Sequence, residues 1–394
     1  MEGDFIKINK WLLPLSWFYG LAVKIRNAMF DLGLLKSRSF KVPVISVGNI
    51  TVGGTGKTPH VEYLIQTLSG KCHVAVLSRG YKRKSKGFVK ASANTTMPEI
   101  GDEPYQMKQK FPKVTVAVDK NRCHGIEQLT SSDKSLDVIL LDDAFQHRYV
   151  KPGINILLVD YHRLVIYDNL LPAGRLREPL NGKDRADIVI VTKCPQGLKP
   201  MEYRVITKAM NLYPYQTLFF TTLEYGQLRP LFAEEPSSSS IPKHAISDLS
   251  DYHVLLLTGI ASPEQMMHDL SPTIRHLTPL TYGDHHLFKK KDIHHINEAF
   301  ARLPEPRCII TTEKDATRLQ HATDLDAEVR RQLYVLPVHV SFLQDQEPKF
   351  NAFIIDYVHK NSRNSILAKG KDDYKPQNRN HSGDRPRTIS FRNH

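Results

Sequence analysis

The sequence predicts an α/β protein, with a doubly wound parallel-sheet domain, a second and smaller α/β domain, and a helical segment ahead of both. Three observations predict it. First, a β-branched run at 42–47 leads through a loop holding Gly53, Gly54 and Gly56 into a stretch of helical spacing, Val61, Leu64, Ile65 and Leu68. Second, the apolar runs 74–77, 114–118, 137–141 and 154–159 alternate with helix-compatible stretches and lead into polar residues. Open parallel sheets place ligands at such strand ends. Third, 188–192, 217–222, 254–258, 308–312 and 334–338 repeat the pattern downstream.

A chain of 394 residues has room for roughly two domains. The expected division is an interfacial helical segment at 1–36, a nucleotide-binding domain at 37–165, and a second α/β domain at 166–345. A short helical segment at 346–362 and a disordered basic tail at 363–394 would follow. Residues 236–240, Pro followed by four Ser, read as a surface loop. The cysteines, Cys72, Cys123, Cys194 and Cys308, are scattered singly. That spacing gives neither a zinc site nor a disulfide framework and points to a reducing compartment. The net charge is +13, but residues 359–394 hold nine Lys/Arg against three Asp and so carry six of it. The balance fits an anionic partner without choosing among nucleic acid, anionic lipid and a phosphorylated substrate.

Trp11, Trp17 and Phe18 lie in an apolar segment flanked by Lys7, Lys10, Lys24 and Arg26. Its uncharged run, 11–23, is 13 residues long and contains Pro14. That is short of the ~20 residues a spanning helix needs. No small-residue cleavage site follows, and a signal peptide would place the glycine loop outside the cell. Aromatic residues beside cations compose a helix lying in the membrane interface. A helical hairpin packed on the domain is the alternative, and the two are compatible.

The loop Thr51, Val52, Gly53, Gly54, Thr55, Gly56, Lys57, Thr58 joins strand to helix. Glycines let backbone N–H groups wrap a phosphate, and the helix N-terminus adds partial positive charge. Lys57 would reach the β/γ-phosphates of a nucleoside triphosphate and Thr58 would ligate Mg²⁺. Thr51 stands where a Walker A loop has its first Gly, so Gly53 and Gly54 would make the turn. Pro59 falls in the first helical turn, where a missing N–H costs nothing.

Asp142 and Asp143 end an apolar strand in the place of a Walker B acid, with Gln146 and His147 beside them. Carboxylates there can hold Mg²⁺, although Asp is also common in strand-end turns. Asp102, before Glu103 and Pro104, reads as a helix N-cap. His285 and His286 follow Asp284, and no Cys or paired carboxylate completes a metal set with them or with His294 and His295. A His that takes a hydroxyl proton while an Asp from the other domain orients it is the more useful pairing. Arg175, Arg177 and Glu178 sit on a Gly/Pro loop between the domains. An Arg fork suits phosphoryl charge, while Arg177 and Glu178 could equally be surface charge. Thr192–Pro195 and Thr312–Asp315 are similar to the Asn-Lys-x-Asp guanine reader but lack its spacing.

Seven motifs in order resemble the tetraacyldisaccharide 4′-kinases of lipid A biosynthesis: 48–59, 78–81, 101–104, 142–147, 174–179, 284–285 and 312–315. They cover the chain from Trp11 to about Val340. The resemblance implies a P-loop NTPase-like fold and transfer of the ATP γ-phosphate to the 4′-hydroxyl of an acylated glucosamine disaccharide 1-phosphate. The product would be lipid IVA, made at the cytoplasmic face of the inner membrane by a peripheral enzyme, with no nucleic acid involved. It implies that Lys57 and Thr58 handle phosphate and Mg²⁺, and that Asp142 and Asp143 serve the metal with Gln146 and His147 close by. Arg177 and Glu178 would meet the transferring phosphoryl, and Asp102 with His285 would form the base. Two other classes compete. A membrane-associated P-loop ATPase switch of the protein-positioning type would suit the loop, but the deviant form carries an early Lys where this chain has Val52. A nucleic-acid-dependent ATPase would use the tail, where aromatic residues are sparse.

Overall fold

The computed structural model describes residues 8–232 and 245–372, with side chains as far as 362. The expected loop at 236–240 and most of the basic tail lie outside the described residues.

The first sheet takes up the apolar runs in turn: β1 (Val44–Gly48), β2 (Val74–Ser78), β3 (Val89–Lys90), β4 (Thr115–Val118), β5 (Val138–Asp142) and β6 (Ile154–Asp160). It also takes β7 (Ile188–Thr192) and β8 (Thr217–Tyr225). Here the structure departs from the expected boundary at 165. β7 pairs parallel to β6 and β8 parallel to β7, so both strands extend the first sheet. β7 is buried on both faces, and an apolar run of that kind shows strand character without showing which sheet it joins.

The second sheet lies between β8 and the chain's return. It comprises β9 (Arg229–Pro230), β10 (His253–Thr258), β11 (His276–Thr281), β12 (Arg307–Thr312) and β13 (Leu333–Leu336), in the order β11-β10-β12-β13-β9. The chain then re-enters the first sheet through β14 (Val338–Phe342), antiparallel to β8. The complete first sheet has nine strands, ordered β14-β8-β7-β6-β1-β5-β2-β4-β3. The second unit is therefore an insertion, and both connections to it leave the same edge.

Helices follow the apolar periodicity. They are α1 (Leu13–Asp31), α2 (Lys57–Ser69), α3 (Met97–Ile100), α4 (Asp102–Lys110), α5 (Arg122–Ser132) and α6 (Pro200–Met210). In the insertion lie α7 (Pro263–Leu270), α8 (Lys290–Ala301), α9 (Glu313–Leu319) and α10 (Ala327–Arg331). The final helix, α11 (Glu347–Asp372), continues ten residues past the expected break at 362. Phe350, Ile354 and Val358 enter the same core as Val61 and Leu64 of α2, so α11 is part of the first domain.

Among its described residues the N-terminal segment is one helix preceded by a short turn, not a hairpin. Ser16 and Gly20, four apart and hence on one face, are buried against Leu170. A Cβ at 20 would lie 2.6 Å from Leu170 Cδ1, so a side chain there requires the end of Leu170 to move. The opposite face carries Trp17, Phe18, Leu21 and Ile25 into solvent. No described helix is long and apolar enough to cross a membrane.

Candidate active site

β1 sits between β5 and β6, and its register pairs Val47 with Asp142. The glycine loop that leaves β1 therefore starts beside the two carboxylates at the end of β5. Gly53 and Gly56 hold φ of +117° and +79°, backbone that residues with a Cβ adopt only under strain. The loop is fastened on three sides. Val52 N–H donates to Arg175 O at 2.8 Å, Asn49 Nδ2 donates to Thr55 Oγ1 at 2.9 Å, and Thr192 Oγ1 donates to Thr55 O at 3.0 Å. His60 adds a fourth tie, with Nδ1 2.7 Å from Gly56 O and Nε2 3.0 Å from the Thr221 hydroxyl. Burial pushes its pKa down to about 4, so the ring is neutral and donates through Nδ1.

The carboxylates differ sharply. Burial, with the charges of Glu103 and Asp143, pushes Asp142 up to about 7 despite a 2.9 Å hydrogen bond from Ser78. Burial acts on Asp143 in the same direction but is outweighed by Lys57, Arg177 and Arg122, which hold it below the usual range. Lys57 Nζ lies 3.6 Å and Arg177 Nη1 3.5 Å from Asp143. Asp142 Oδ1 is buried and accepts no hydrogen bond. Arg122, itself buried, donates to the Asp142 and Asp119 carbonyls.

Gln146 and His147, expected close to the metal, lie just beyond these carboxylates, and His147 Nε2 is buried without a hydrogen-bond partner. Gln146 binds the Asn49 carbonyl through Nε2 and receives Arg177 on Oε1. His147 is pushed down to about 4 by burial and by the charges of Arg122, Arg26 and Arg79, surroundings that already carry positive charge. Glu178 pairs elsewhere. It is buried and accepts a 2.7 Å hydrogen bond from Arg185 on Oε2, while its Oε1 is buried without a hydrogen-bond partner.

On the first domain, where it meets the insertion, Asp102 is the first residue of α4 and Gly101 takes the cap position without a side-chain cap bond. Asp102 Oδ1 accepts from Glu103 N–H at 3.0 Å, while Oδ2 meets His285 Nδ1 at 2.7 Å. Burial raises its pKa, but the His285 hydrogen bond with Lys314 and Arg318 holds it well below the carboxylate range. His285 occupies left-handed backbone, φ 57°, and its ring lies 4.9 Å from that of Tyr81. Lys314 Nζ is 3.4 Å from His285 Nε2 and 2.9 Å from Glu103. Nδ1 faces the Asp102 carboxylate, and Nε2 faces Lys314 with the Asp284 carboxylate 3.7 Å away. The insertion thus supplies His285, Lys314 and Arg318, and the first sheet supplies the glycine loop and carboxylates. Gly54 faces Ala261 of the insertion, where an added Cβ would meet the Ala261 Cβ at 3.6 Å.

The tetraacyldisaccharide-1-P 4′-kinase family model matches residues 8–359. The chain belongs to that family. The tetraacyldisaccharide 4′-kinase of Phocaeicola vulgatus is 60% identical over 368 residues, 93% of this chain and 99% of the relative. That of Bacteroides thetaiotaomicron is 56% identical, with 93% and 98% covered. The crystal structure of LpxK from Aquifex aeolicus in complex with ATP is 30% identical and superposes with a TM-score of 0.66, covering 88% of this chain and 98% of that one.

In this 4′-kinase chain the sequence pattern assigns no role to Ser78, Asn49, His60, Arg122 or Arg318. Lys314 lies in the motif at 312–315, whose pattern likewise gives it no role.

Proposed function

We propose that the chain transfers the γ-phosphate of ATP to the 4′-hydroxyl of a tetraacylated glucosamine disaccharide 1-phosphate, giving lipid IVA in lipid A biosynthesis. The observation that carries the reading beyond family membership is the meeting of Asp102 and His285 at one cleft with the glycine loop. Glu103, next to Asp102, is close enough for its charge to raise Asp142.

The loop and Lys57 hold the β/γ-phosphates, and Arg177 adds a planar cation toward the phosphoryl oxygens. His285 Nε2 takes the proton of the 4′-hydroxyl as the phosphoryl arrives, while Asp102 stabilises the imidazolium through Nδ1–H. Lys314 places a further cation at the same spot. Most of the catalytic effect then comes from positioning and charge.

The residues fit Mg²⁺. The unpartnered Asp142 oxygen and Asp143 would hold it with the Thr58 hydroxyl. Among the described residues no group of three or more His, Cys, Asp or Glu side chains is placed around a metal, and Mg²⁺ usually takes one or two carboxylates plus phosphate oxygens and water. Bound there, it would neutralise charge on the β- and γ-oxygens.

The outward apolar face of α1, with Lys10 and Lys24 nearby, supports a peripheral position at the cytoplasmic face of the inner membrane, where ATP and an acylated substrate can meet. Incubation with γ-labelled ATP and the disaccharide lipid, followed by thin-layer separation, tests the activity. Label is expected in the lipid. ATP hydrolysis with no labelled lipid would leave the ATPase-switch reading in its place.

A further inference from the structure

The helix α9 begins within the motif at 312–315, with Thr312 as its cap, and presents Arg318 on the same face as Asp315, three residues earlier. Arg318 is 1% exposed and Asp315 is fully buried. One guanidinium nitrogen, Nη1, donates to Asp315 Oδ1 at 2.8 Å and to Gly259 O at 3.2 Å. The other, Nη2, donates to Asp102 Oδ2, the oxygen that receives His285. Asp315 is fixed in turn, accepting from Gly259 N–H at 2.9 Å and Thr312 Oγ1 at 2.8 Å.

The arrangement is a chain of contacts with one fork in the middle. Thr312 and the Gly259 backbone, both of the second sheet's strand ends, hold Asp315. Asp315 holds Arg318, and Arg318 reaches across the cleft to the carboxylate on α4. A planar guanidinium can serve two carboxylates at once, which an ammonium on a flexible stem does poorly. Lys314, next in the helix, faces Glu103 and Asp284 instead and cannot replace it.

We propose that Arg318 is the positioning residue of the Asp102–His285 pair: it aims the Asp102 carboxylate and ties it to the insertion, so that the pair is assembled only where α9 docks on α4. The inference rests on the reading of Asp102 and His285 as the base pair. It assigns Arg318 no contact with substrate.

The test compares Arg318→Met and Arg318→Lys with wild type, each checked for folding by circular dichroism. Proton NMR follows the downfield resonance of the His285 Nδ1–H, assigned by its loss in Asp102→Asn and His285→Ala. In Arg318→Met that resonance is expected to disappear or shift upfield. kcat should fall about tenfold or more, with KM for ATP within about twofold. Arg318→Lys should recover the resonance in part and kcat in part. An unchanged resonance with kcat within about twofold of wild type in a folded Arg318→Met overturns the proposal. So does a lower melting temperature with the resonance and kcat both kept. If Arg318→Met does not fold, Arg318→Lys decides: wild-type kcat and resonance mean the fork is not needed. Wild-type turnover in His285→Ala is a different failure, since it removes the base pair itself.

Discussion

His285 Nδ1 lies 2.7 Å from Asp102 Oδ2 although 183 residues separate them. One residue belongs to the insertion and the other opens α4 of the first domain, so the contact exists only in the assembled molecule. Proton removal by such a pair typically contributes ~10²–10⁴-fold. Asp102→Ala and His285→Ala should each lower kcat by that order while ATP binding is kept. The double variant should be barely slower than the more damaged single one, as for residues acting as a unit. Steady-state kinetics on the purified variants decide it: losses that multiply would make the two independent.

Lys57 brings the loop's only side-chain ammonium to the phosphates and is held against Asp143 at 3.6 Å. Lys57→Ala should lower kcat/KM roughly 10³-fold or more, because no other loop side chain can follow the migrating charge. The loop is tied to Arg175, Asn49 and Thr192, so the fold should be kept, as a thermal melt would confirm. Turnover within about tenfold of wild type would place the nucleotide elsewhere.

Asp142 offers a stability test with a definite sign. Its pKa is raised by burial, Glu103 and Asp143 from 3.8 to about 7 in the folded protein. The folded state therefore keeps a proton that the unfolded state releases, and stability is lost as pH rises from about 4 to about 7. Asp142→Asn removes that cost. It should raise stability by roughly 1–3 kcal/mol at pH 8, much less at pH 4, and abolish activity. Melting curves of nucleotide-free protein at both pH values provide the measurement. An equal change at both would remove Asp142's titration as the cause.

How much of this was legible in the sequence follows from range. Local patterns could be read: the strand, glycine loop and helix around Lys57, and the Asp142–Asp143 strand end, all lie where spacing placed them. Sheet membership could not be read, because the neighbours of β7, β8 and β14 are set by long-range pairing that a strand's own apolar pattern does not encode. The Asp102–His285 contact came from family resemblance, since spacing alone favoured a helix cap. Glu178 shows the limit of proximity in sequence. It follows Arg177 directly, yet Arg177 faces Asp143 and Glu178 turns to Arg185. Arg318 gave no signal, because Asp-x-x-Arg on a helix is an ordinary ion-pair spacing.

The exposed aromatics of α1 and of the turn before it yield the last prediction. Trp11 is 94% exposed, Trp17 75% and Phe18 74%, which is costly for a surface that meets only water. The helix is nonetheless firmly placed: Ser16 bonds Leu170 O and Ala173 N, Tyr19 donates to Arg177 O, and Arg26 donates to Gln146 O. Its buried contacts and its exposed aromatics are on different faces, so the two roles separate. Replacing Trp11, Trp17 and Phe18 with Ser should leave the melting temperature nearly unchanged and move the protein from sedimented vesicles to the supernatant. Because Tyr19 and Arg26 still hold the backbone at Arg177 and Gln146, turnover on detergent-dispersed substrate should persist while turnover on vesicle-borne substrate falls. Unfolding of the triple variant would instead make these aromatics part of the core, and unaltered vesicle binding would assign the membrane contact to another surface.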